Sequence, residues 1–155
     1  MVTKNSLIAG RKIRDFSLQN QNGKIFRLAG LKGKKVLLSF HPLAWTPVCA
    51  RQMQSLEKNF LIFEKLNTFA VGISVDSVPS KKAWAKSLKI KKTALLADFW
   101  PHGGVAKMLG IFREEGFSER ANVILNEQGV VEFIKIYPIG QLPDIKEIIA
   151  RLKLL

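Results

Sequence analysis

The sequence has very few cysteine and histidine residues. Its 155 residues include one cysteine, Cys49, and two histidines, His41 and His102. A single cysteine cannot form an internal disulfide, which excludes a small secreted scaffold held by disulfide bonds. So few sulfur and imidazole groups also exclude a cysteine-based zinc site and argue against any His/Cys metal cluster. We therefore expect no metal ion.

Long hydrophobic runs are also missing. No apolar run approaches the roughly 18 residues from which a transmembrane helix is inferred. The apolar part of Met1–Gly10 is too short for a signal peptide. We expect a cytoplasmic protein in a reducing compartment. A composition of 47% hydrophobic and 24% charged residues is that of a globular protein, and the length suits one domain over residues 1–155.

Acidic residues are scarce: 25 Lys and Arg face 12 Asp and Glu, a net charge of +13. Residues 1–36 carry nine basic side chains, including Lys4, with Asp15 as the one acid, and residues 80–92 carry six lysines and no acid. Such a surface attracts polyanions, nucleic acids included. No known nucleic-acid-binding motif accompanies these lysines. We interpret them as a solvated surface and expect no nucleic-acid partner.

Strands and helices alternate in the middle of the chain, with hairpins at both ends. Buried strands are predicted at Val36–Phe40, Phe69–Val75 and Thr93–Ala97. Hairpins are predicted over Asp15–Leu28, with Phe16 and Leu18 on one arm, Ile25 on the other and a turn at Asn22-Gly23, and over Asn122–Leu125 with Val130–Ile136. Helices are predicted from Val48 to about Leu66, over Ser80–Leu88 and Val105–Leu109, and after Pro143-Asp144. This order predicts an α/β fold in which helices flank both faces of a mixed central sheet.

Cys49 lies where chemistry is expected in such a fold. Cys49, Met53, Leu56, Phe60 and Phe63 form one apolar helix face, and Thr46-Pro47 suits the cap and first turn of that helix. Cys49 thus falls in the first turn of a helix that follows a buried strand, at the edge where open α/β sheets bind ligands. Unpaired N–H groups and the helix dipole favour an anion there, such as a thiolate. The alternative is a small, inert core cysteine.

The residues around Cys49 resemble those of a known family. In Phe40–Cys49, Pro42, Thr46 and Cys49 match the pattern Pro-x-x-x-Thr/Ser-x-x-Cys of the peroxiredoxins of the AhpC/TSA type. The likeness continues in the same order through Ser74–Ser77 with Ala83-Trp84, Asp98–Gly103 and Glu119–Gly129, the last containing Arg120. The resemblance implies a thioredoxin-like fold with an N-terminal β-hairpin extension.

The resemblance also implies an activity, that of a thiol-dependent peroxidase that needs no cofactor and acts on hydrogen peroxide and organic hydroperoxides. Cys49 would attack the peroxide and become a sulfenic acid. Thr46 would hydrogen-bond peroxide and sulfur, Pro42 would shield the sulfur from water, and Arg120 would stabilise negative charge. Val48 would supply a backbone N–H to the same oxygen atoms. Without the motif, Thr46 could simply cap the helix, Pro42 could end the strand, and Arg120 could pair with Glu119 at the surface.

Three positions near Cys49 distinguish this chain. Gln52 stands where the family usually has Glu, so it keeps hydrogen-bonding reach toward an arginine without the charge. Trp45 stands where Phe is common, a change from which we expect little effect. His41 before Pro42 matches a His-Pro pair of the one-cysteine subgroup, where it could hydrogen-bond near the sulfur or simply end a strand.

The cysteine count selects the subtype. With no resolving cysteine, the Cys49 sulfenic acid must be reduced by an external thiol, such as thioredoxin, glutaredoxin or a small thiol like mycothiol. The short chain resembles the compact AhpE or bacterioferritin-comigratory-protein-like branch, and the resemblance implies a homodimer. Two alternatives remain open: a peroxide sensor that passes oxidation to a partner, and a catalytically silent thioredoxin-fold protein that binds through its basic surface.

Overall fold

Seven strands form one mixed sheet at the centre of the structure. The computed structural model describes residues 7–155, so Lys4 and the first six residues of Met1–Gly10 lie outside the described residues. The strands are β1 (Ser17–Gln19), β2 (Ile25–Arg27), β3 (Lys35–Phe40), β4 (Thr68–Ser74), β5 (Ala94–Ala97), β6 (Arg120–Leu125) and β7 (Val131–Tyr137). Their spatial order is β2-β1-β5-β4-β3-β6-β7. β3, β4 and β5 are parallel, and the other pairs are antiparallel.

Helices cover both faces of this sheet, as predicted. They are α1 (Pro47–Lys58), α2 (Phe60–Lys65), α3 (Val78–Leu88), α4 (Gly104–Met108) and α5 (Ile145–Lys153), with a 3₁₀ turn at Leu28–Leu31. Side chains alternate along β3, so Leu38 joins a core with α4 while Leu37 joins a second core with α1, α3 and α5. The fold is therefore α/β with a mixed sheet between helical layers. No described helix is long and apolar enough to cross a bilayer.

The predicted helix from Val48 to Leu66 is wrong as one element, because it breaks at Asn59. Asn59 has φ −102° and ψ 15°, and its side-chain amide donates to the Ser55 carbonyl at 2.8 Å. An asparagine side chain competes in this way with the backbone for its own hydrogen bonds and favours helix ends. The interruption changes the direction of the apolar face, so Phe63 is buried while Phe60 is half-buried.

The N-terminal hairpin forms as predicted, with Ile25 on its second arm. Phe26 is 9% exposed and packs against Phe16, whereas Ile25 is 61% exposed. Neighbouring residues of a strand point to opposite faces, so Phe26 faces the core and Ile25 faces away from it. The turn uses Gly23 at φ 77°, a value that glycine adopts without strain.

Gln21 attaches this hairpin to the rest of the sheet. β1 shares one register pair with β5, Gln19 with Ala97. The buried side-chain amide of Gln21 donates to the Thr93 carbonyl at 2.9 Å and accepts from the Leu95 N–H at 2.8 Å. The amide therefore replaces the ladder hydrogen bonds that a longer strand would provide at this edge.

Other element boundaries differ from the prediction by one or two residues. α3 begins at Val78 because the Ser77 hydroxyl accepts from the Ser80 N–H and caps the helix. α4 ends at Met108, ahead of Gly110 at φ 76°. β6 begins at Arg120, two residues before the predicted strand, and this places a charged residue inside the sheet.

We expect Gln21→Ala to lower the free energy of unfolding by about 2 kcal/mol, because a buried N–H and a buried carbonyl both lose their partner. Chemical denaturation measures this loss. Gln19→Ala, at an exposed position in the same hairpin, is the matched control and should change stability by less than about 0.5 kcal/mol. Equal effects of the two variants would contradict the role of Gln21.

Candidate active site

The loop after β3 carries Cys49 to the carboxyl end of the parallel strands. β3 ends at Phe40, Thr46 precedes α1, and Cys49 is the third residue of that helix. Trp45 has a positive φ of 67°, an uncommon conformation for a large side chain, and turns the chain toward the helix. Cys49 is 1% exposed, free of any disulfide, and packed in the same core as Met53 and Trp84.

Arg120 reaches the sulfur from the neighbouring strand. β6 runs antiparallel to β3, with Ala121 opposite Phe40, so Arg120 lies at the level of the loop that leads to Cys49. Its Nη1 is 3.3 Å from Cys49 Sγ. The arrangement therefore directs a permanently charged hydrogen-bond donor at a buried sulfur.

The Arg120 guanidinium is fixed by neutral acceptors. Nε and Nη2 donate to the Ile139 carbonyl at 2.9 and 2.6 Å, and Nη1 donates to Gln52 Oε1 at 2.8 Å. Glu119 instead accepts from Arg113 at 2.7 Å, so the alternative of a surface pair between Glu119 and Arg120 is wrong. No described carboxylate forms an ion pair with Arg120. Its charge is therefore left to act on the sulfur.

Gln52 links the guanidinium to β3. Its Nε2 donates to Ser39 Oγ at 2.8 Å and to the Phe40 carbonyl at 3.1 Å, while its Oε1 accepts from Arg120. An amide can donate and accept at once, whereas a carboxylate would present a lone pair to the Phe40 carbonyl. Glutamine therefore satisfies all three partners, because its amide N–H groups donate to Ser39 and Phe40 while its carbonyl oxygen accepts from Arg120.

A cavity of about 290 Å³ opens beside Cys49. The predicted residues Pro42, Thr46, Val48, Cys49 and Arg120 all line it. Phe117 and Ile139 complete an apolar wall that the motif did not indicate. Among the residues between 7 and 155, no three His, Cys, Asp or Glu side chains are grouped so as to hold a metal ion.

Thr46 occupies the N-cap position of α1, but its hydroxyl does not cap the helix. Oγ1 donates to the Leu43 carbonyl at 2.7 Å. The reading of Thr46 as a capping hydroxyl is therefore wrong. Because the hydroxyl proton is engaged by a carbonyl, its lone pairs remain available to accept a hydrogen bond in the cavity.

His41 is buried and does not line the cavity beside Cys49. It is 0% exposed, its Nε2 is 3.1 Å from Lys81 Nζ, and its ring centroid is 5.4 Å from that of Trp84. Burial, reinforced by the Lys81 charge, holds the pKa of His41 well below its ordinary value of 6.5. A neutral imidazole is therefore the form that this core favours.

Lys81 was missed by the sequence reasoning, which grouped it with the solvated lysines of residues 80–92. It is 0% exposed, while its neighbour Lys82 is exposed. The helical period contained a usable signal, because Lys81 lies three residues before Trp84 and so on the buried face of α3.

Comparison with known proteins identifies the family. The AhpC/TSA family profile matches residues 9–134. Alkyl hydroperoxide reductase E of Mycobacterium tuberculosis is 35% identical over 140 residues, which are 89% of this chain and 91% of that protein. Peroxiredoxin 2 of Sulfurisphaera tokodaii is 34% identical over 155 residues, 96% of this chain and 72% of that protein.

Solved structures agree with this result. The reduced 2-Cys peroxiredoxin of Plasmodium vivax superimposes with a TM-score of 0.87 at 25% identity, over 94% of this chain and 80% of that one. Peroxidoxin BcpB of Mycobacterium tuberculosis shares the fold with a TM-score of 0.82 at 24% identity, over 95% of this chain and 97% of that one.

The fold and site define a thiol enzyme of the thioredoxin-like class, a peroxide-reducing oxidoreductase. More particularly, the chain belongs to the AhpC/TSA family. The predicted likeness to its AhpE branch is confirmed, and the single cysteine is consistent with a one-cysteine mechanism.

We expect Gln52→Ala to lower the free energy of unfolding by about 2 kcal/mol or more, because the Arg120 guanidinium and the Phe40 carbonyl lose a buried partner together. Urea denaturation measures this change. Gln54→Ala, at an exposed position of the same helix, should leave stability within about 0.5 kcal/mol of the unmodified protein. A Gln52 variant as stable as the Gln54 variant would show that the buried amide is dispensable.

Proposed function

We propose that the chain reduces hydrogen peroxide and organic hydroperoxides through a sulfenic acid on Cys49. The observation that carries this proposal is the distance of 3.3 Å between Arg120 Nη1 and Cys49 Sγ, at the wall of an open cavity. Arginine stays protonated at every physiological pH, so its charge favours the nucleophilic thiolate form of the cysteine.

The chemical step is a displacement at oxygen. The thiolate attacks the protonated oxygen of the hydroperoxide, the S–O bond forms and the O–O bond breaks. The leaving oxygen takes up the proton as water or an alcohol, and the sulfur, oxidised by two electrons, becomes a sulfenate. Arg120 stabilises the negative charge as it moves from sulfur to the leaving oxygen.

The neighbouring residues have distinct proposed roles. Thr46 Oγ1, whose proton is engaged by Leu43, accepts a hydrogen bond from the O–H of the hydroperoxide. The Val48 and Cys49 N–H groups, in the first turn of α1, have no intrahelical acceptor and can bind a peroxide oxygen. Pro42 forms part of the cavity wall and limits access of water to the sulfur.

Regeneration requires a thiol from outside the chain. An external thiol attacks the sulfenic sulfur, releases water and forms a mixed disulfide with Cys49, and a second thiol then restores the thiolate. We propose thioredoxin, glutaredoxin or a small thiol as the reductant. The lone cysteine and the need for such a thiol support our expectation of the cytoplasm as the location.

We also propose that the chain forms a homodimer beside the active-site loop. Trp45, Phe99 and Trp100 are 54%, 51% and 82% exposed. Trp45 Nε1 donates to Ser80 at 3.0 Å, and Phe99 and Trp100 line a cavity with Pro79, so the three aromatic residues flank the start of α3. Exposed aromatic surface of this kind is typical of protein interfaces.

Replacement of the two central residues tests the activity. We expect Cys49→Ser to abolish oxidation by peroxide, because no other thiol is present. Arg120→Met should lower the second-order rate constant by about 100-fold or more, because loss of one hydrogen-bond donor aimed at the developing charge typically costs an enzyme that much. Stopped-flow mixing with peroxide measures the rate, and mass spectrometry of Cys49 detects the sulfenic acid.

Arg51→Met is the matched control, because Arg51 is exposed on α1 two residues from the cysteine. This variant should react at the rate of the unmodified protein. A protein whose cysteine reacts no faster than a free thiol would favour the silent binding protein, and a mixed disulfide trapped with one specific partner would favour the peroxide sensor.

The dimer has a separate test. We expect the unmodified protein to have the mass of two chains by light scattering, and Trp100→Glu to have the mass of one, because a buried charge at the interface is costly. Leu154→Glu, at a C-terminal position with 79% exposure, is the control and should remain dimeric. A monomeric unmodified protein at micromolar concentration would contradict this proposal.

A further inference from the structure

The pair formed by Lys81 and His41 is a buried polar group that the proposed mechanism does not use. Both residues are 0% exposed, and Lys81 Nζ lies 3.1 Å from His41 Nε2. The Lys81 ammonium also lies 5.8 Å from the centroid of the Trp84 ring, which His41 contacts from the β3 side. Burial of lysine is costly, and a lysine in a core normally has a carboxylate partner.

Lys81 has no such partner among the residues that the structure describes. Between residues 7 and 155, no carboxylate oxygen lies within ion-pair distance of Nζ. The nearby Asp76 uses Oδ2 to accept from the Ala44 N–H at 2.8 Å and from Ser74 Oγ at 2.7 Å. His41 Nε2 is therefore the one hydrogen-bond partner of the amine among the described residues.

The pair lies within electrostatic reach of the reactive sulfur. Trp84, which both residues contact, belongs to the same core as Cys49. Burial lowers the pKa of Lys81 to about 7, against the opposing effects of Asp76 and then Cys49. The pKa of His41 is lowered by burial, by Lys81 and by Arg120. The charged and titratable groups that face the pair are thus Asp76, Cys49 and Arg120.

We propose that Lys81 and His41 share one proton and act together as a positioning pair that places a second, removable positive charge beside the core that contains Cys49. Arg120 supplies a charge that is always present, whereas the pair supplies one that is lost when its proton leaves. The proposal rests on the proposed function, because it requires Cys49 to react as a thiolate. Neither Lys81 nor His41 touches the peroxide.

The geometry gives the direction of the effect. When the pair holds its proton, the charge favours the Cys49 thiolate, and the thiolate in turn favours the protonated pair, since coupling between two sites is reciprocal. When the pH rises through about 7, Lys81 loses its proton and this assistance disappears. The sulfur then depends on Arg120 alone.

Three variants separate charge from hydrogen bonding. Lys81→Gln removes the charge but retains a donor for His41, Lys81→Arg retains a charge at all pH values, and Lys82→Gln removes an exposed charge one residue away. The ultraviolet absorbance of the thiolate, followed against pH, is the measurement. We expect Lys81→Gln to shift its midpoint upward by about half a pH unit or more, as loss of a nearby opposite charge does. Lys81→Arg and Lys82→Gln should not shift it upward.

Trp84 provides a second readout that does not depend on activity. In a background with Trp45→Phe and Trp100→Phe, Trp84 is the only tryptophan, and its fluorescence should change as the pair loses its proton. Cys49→Ser in that background removes the thiolate that stabilises the proton. We therefore expect the fluorescence transition to move to lower pH in the serine variant.

The pH dependence of the free energy of unfolding provides a further test of Lys81. Its direction is opposite to that of the effect on the thiolate, because stability increases as Lys81 loses its proton. The pKa of Lys81 is lowered from 10.5 to about 7 in the folded protein, so the unfolded chain binds more protons between these values. Stability attributable to Lys81 therefore increases as the pH rises from about 7 toward 10.5, and is lost on acidification through that range. Lys81→Gln should flatten this part of the profile relative to Lys82→Gln.

The proposal would be overturned if Lys81→Gln left the midpoint of the thiolate titration unchanged and Cys49→Ser left the pH of the Trp84 fluorescence transition unchanged. The proposed function would survive that result, provided that the unmodified protein reacted with peroxide. Absence of any thiolate titration or peroxide reaction in the unmodified protein would instead overturn the proposed function. If Lys81→Gln failed to fold, the fluorescence comparison would still decide, because it leaves Lys81 and His41 in place.

Discussion

The contact between the Arg120 guanidinium and the Cys49 sulfur is the interaction on which the rest of the site depends. A charge buried in a protein core is costly unless its donors are satisfied. Here the Ile139 carbonyl and the Gln52 amide satisfy them without cancelling the charge. A carboxylate in either place would compete with the sulfur for the guanidinium. The neutral surroundings of Arg120 are therefore what leaves its field available to a thiolate.

The topology makes this contact possible. β6 is antiparallel to β3, so the first residue of β6 lies beside the loop that follows the last residue of β3. The loop begins directly after β3, and α1 begins six residues later. The first turn of α1, which contains Cys49, therefore lies at the same end of β3. Two residues separated by 71 positions in the chain thus meet at 3.3 Å. Gln52, one helical turn along, closes the link by bonding both Arg120 and β3.

Much of this arrangement was predictable because the signals are local. The apolar strands, the helices apart from the break at Asn59, and the spacing of Pro42, Thr46 and Cys49 can all be inferred from neighbouring residues. Two features have weaker local signals. A strand of three residues gives little periodicity, so the alternation does not decide whether Ile25 or Phe26 faces the core. The lysine-rich composition of residues 80–92 indicates a solvated surface, whereas the helical phase set by Trp84 buries Lys81 one turn away.

The sequence by itself determined the α/β pattern, the single cysteine and the absence of a resolving thiol, since these depend on residue type and short-range order. It could not determine which groups lie next to each charged or polar side chain in the folded protein. Long-range register and packing decide that no described carboxylate pairs with Arg120 and that the Thr46 hydroxyl donates to Leu43. They also place Lys81 beside His41 in the core. Electrostatic effects depend on burial and on distance through space, and those quantities exist only once the chain has folded.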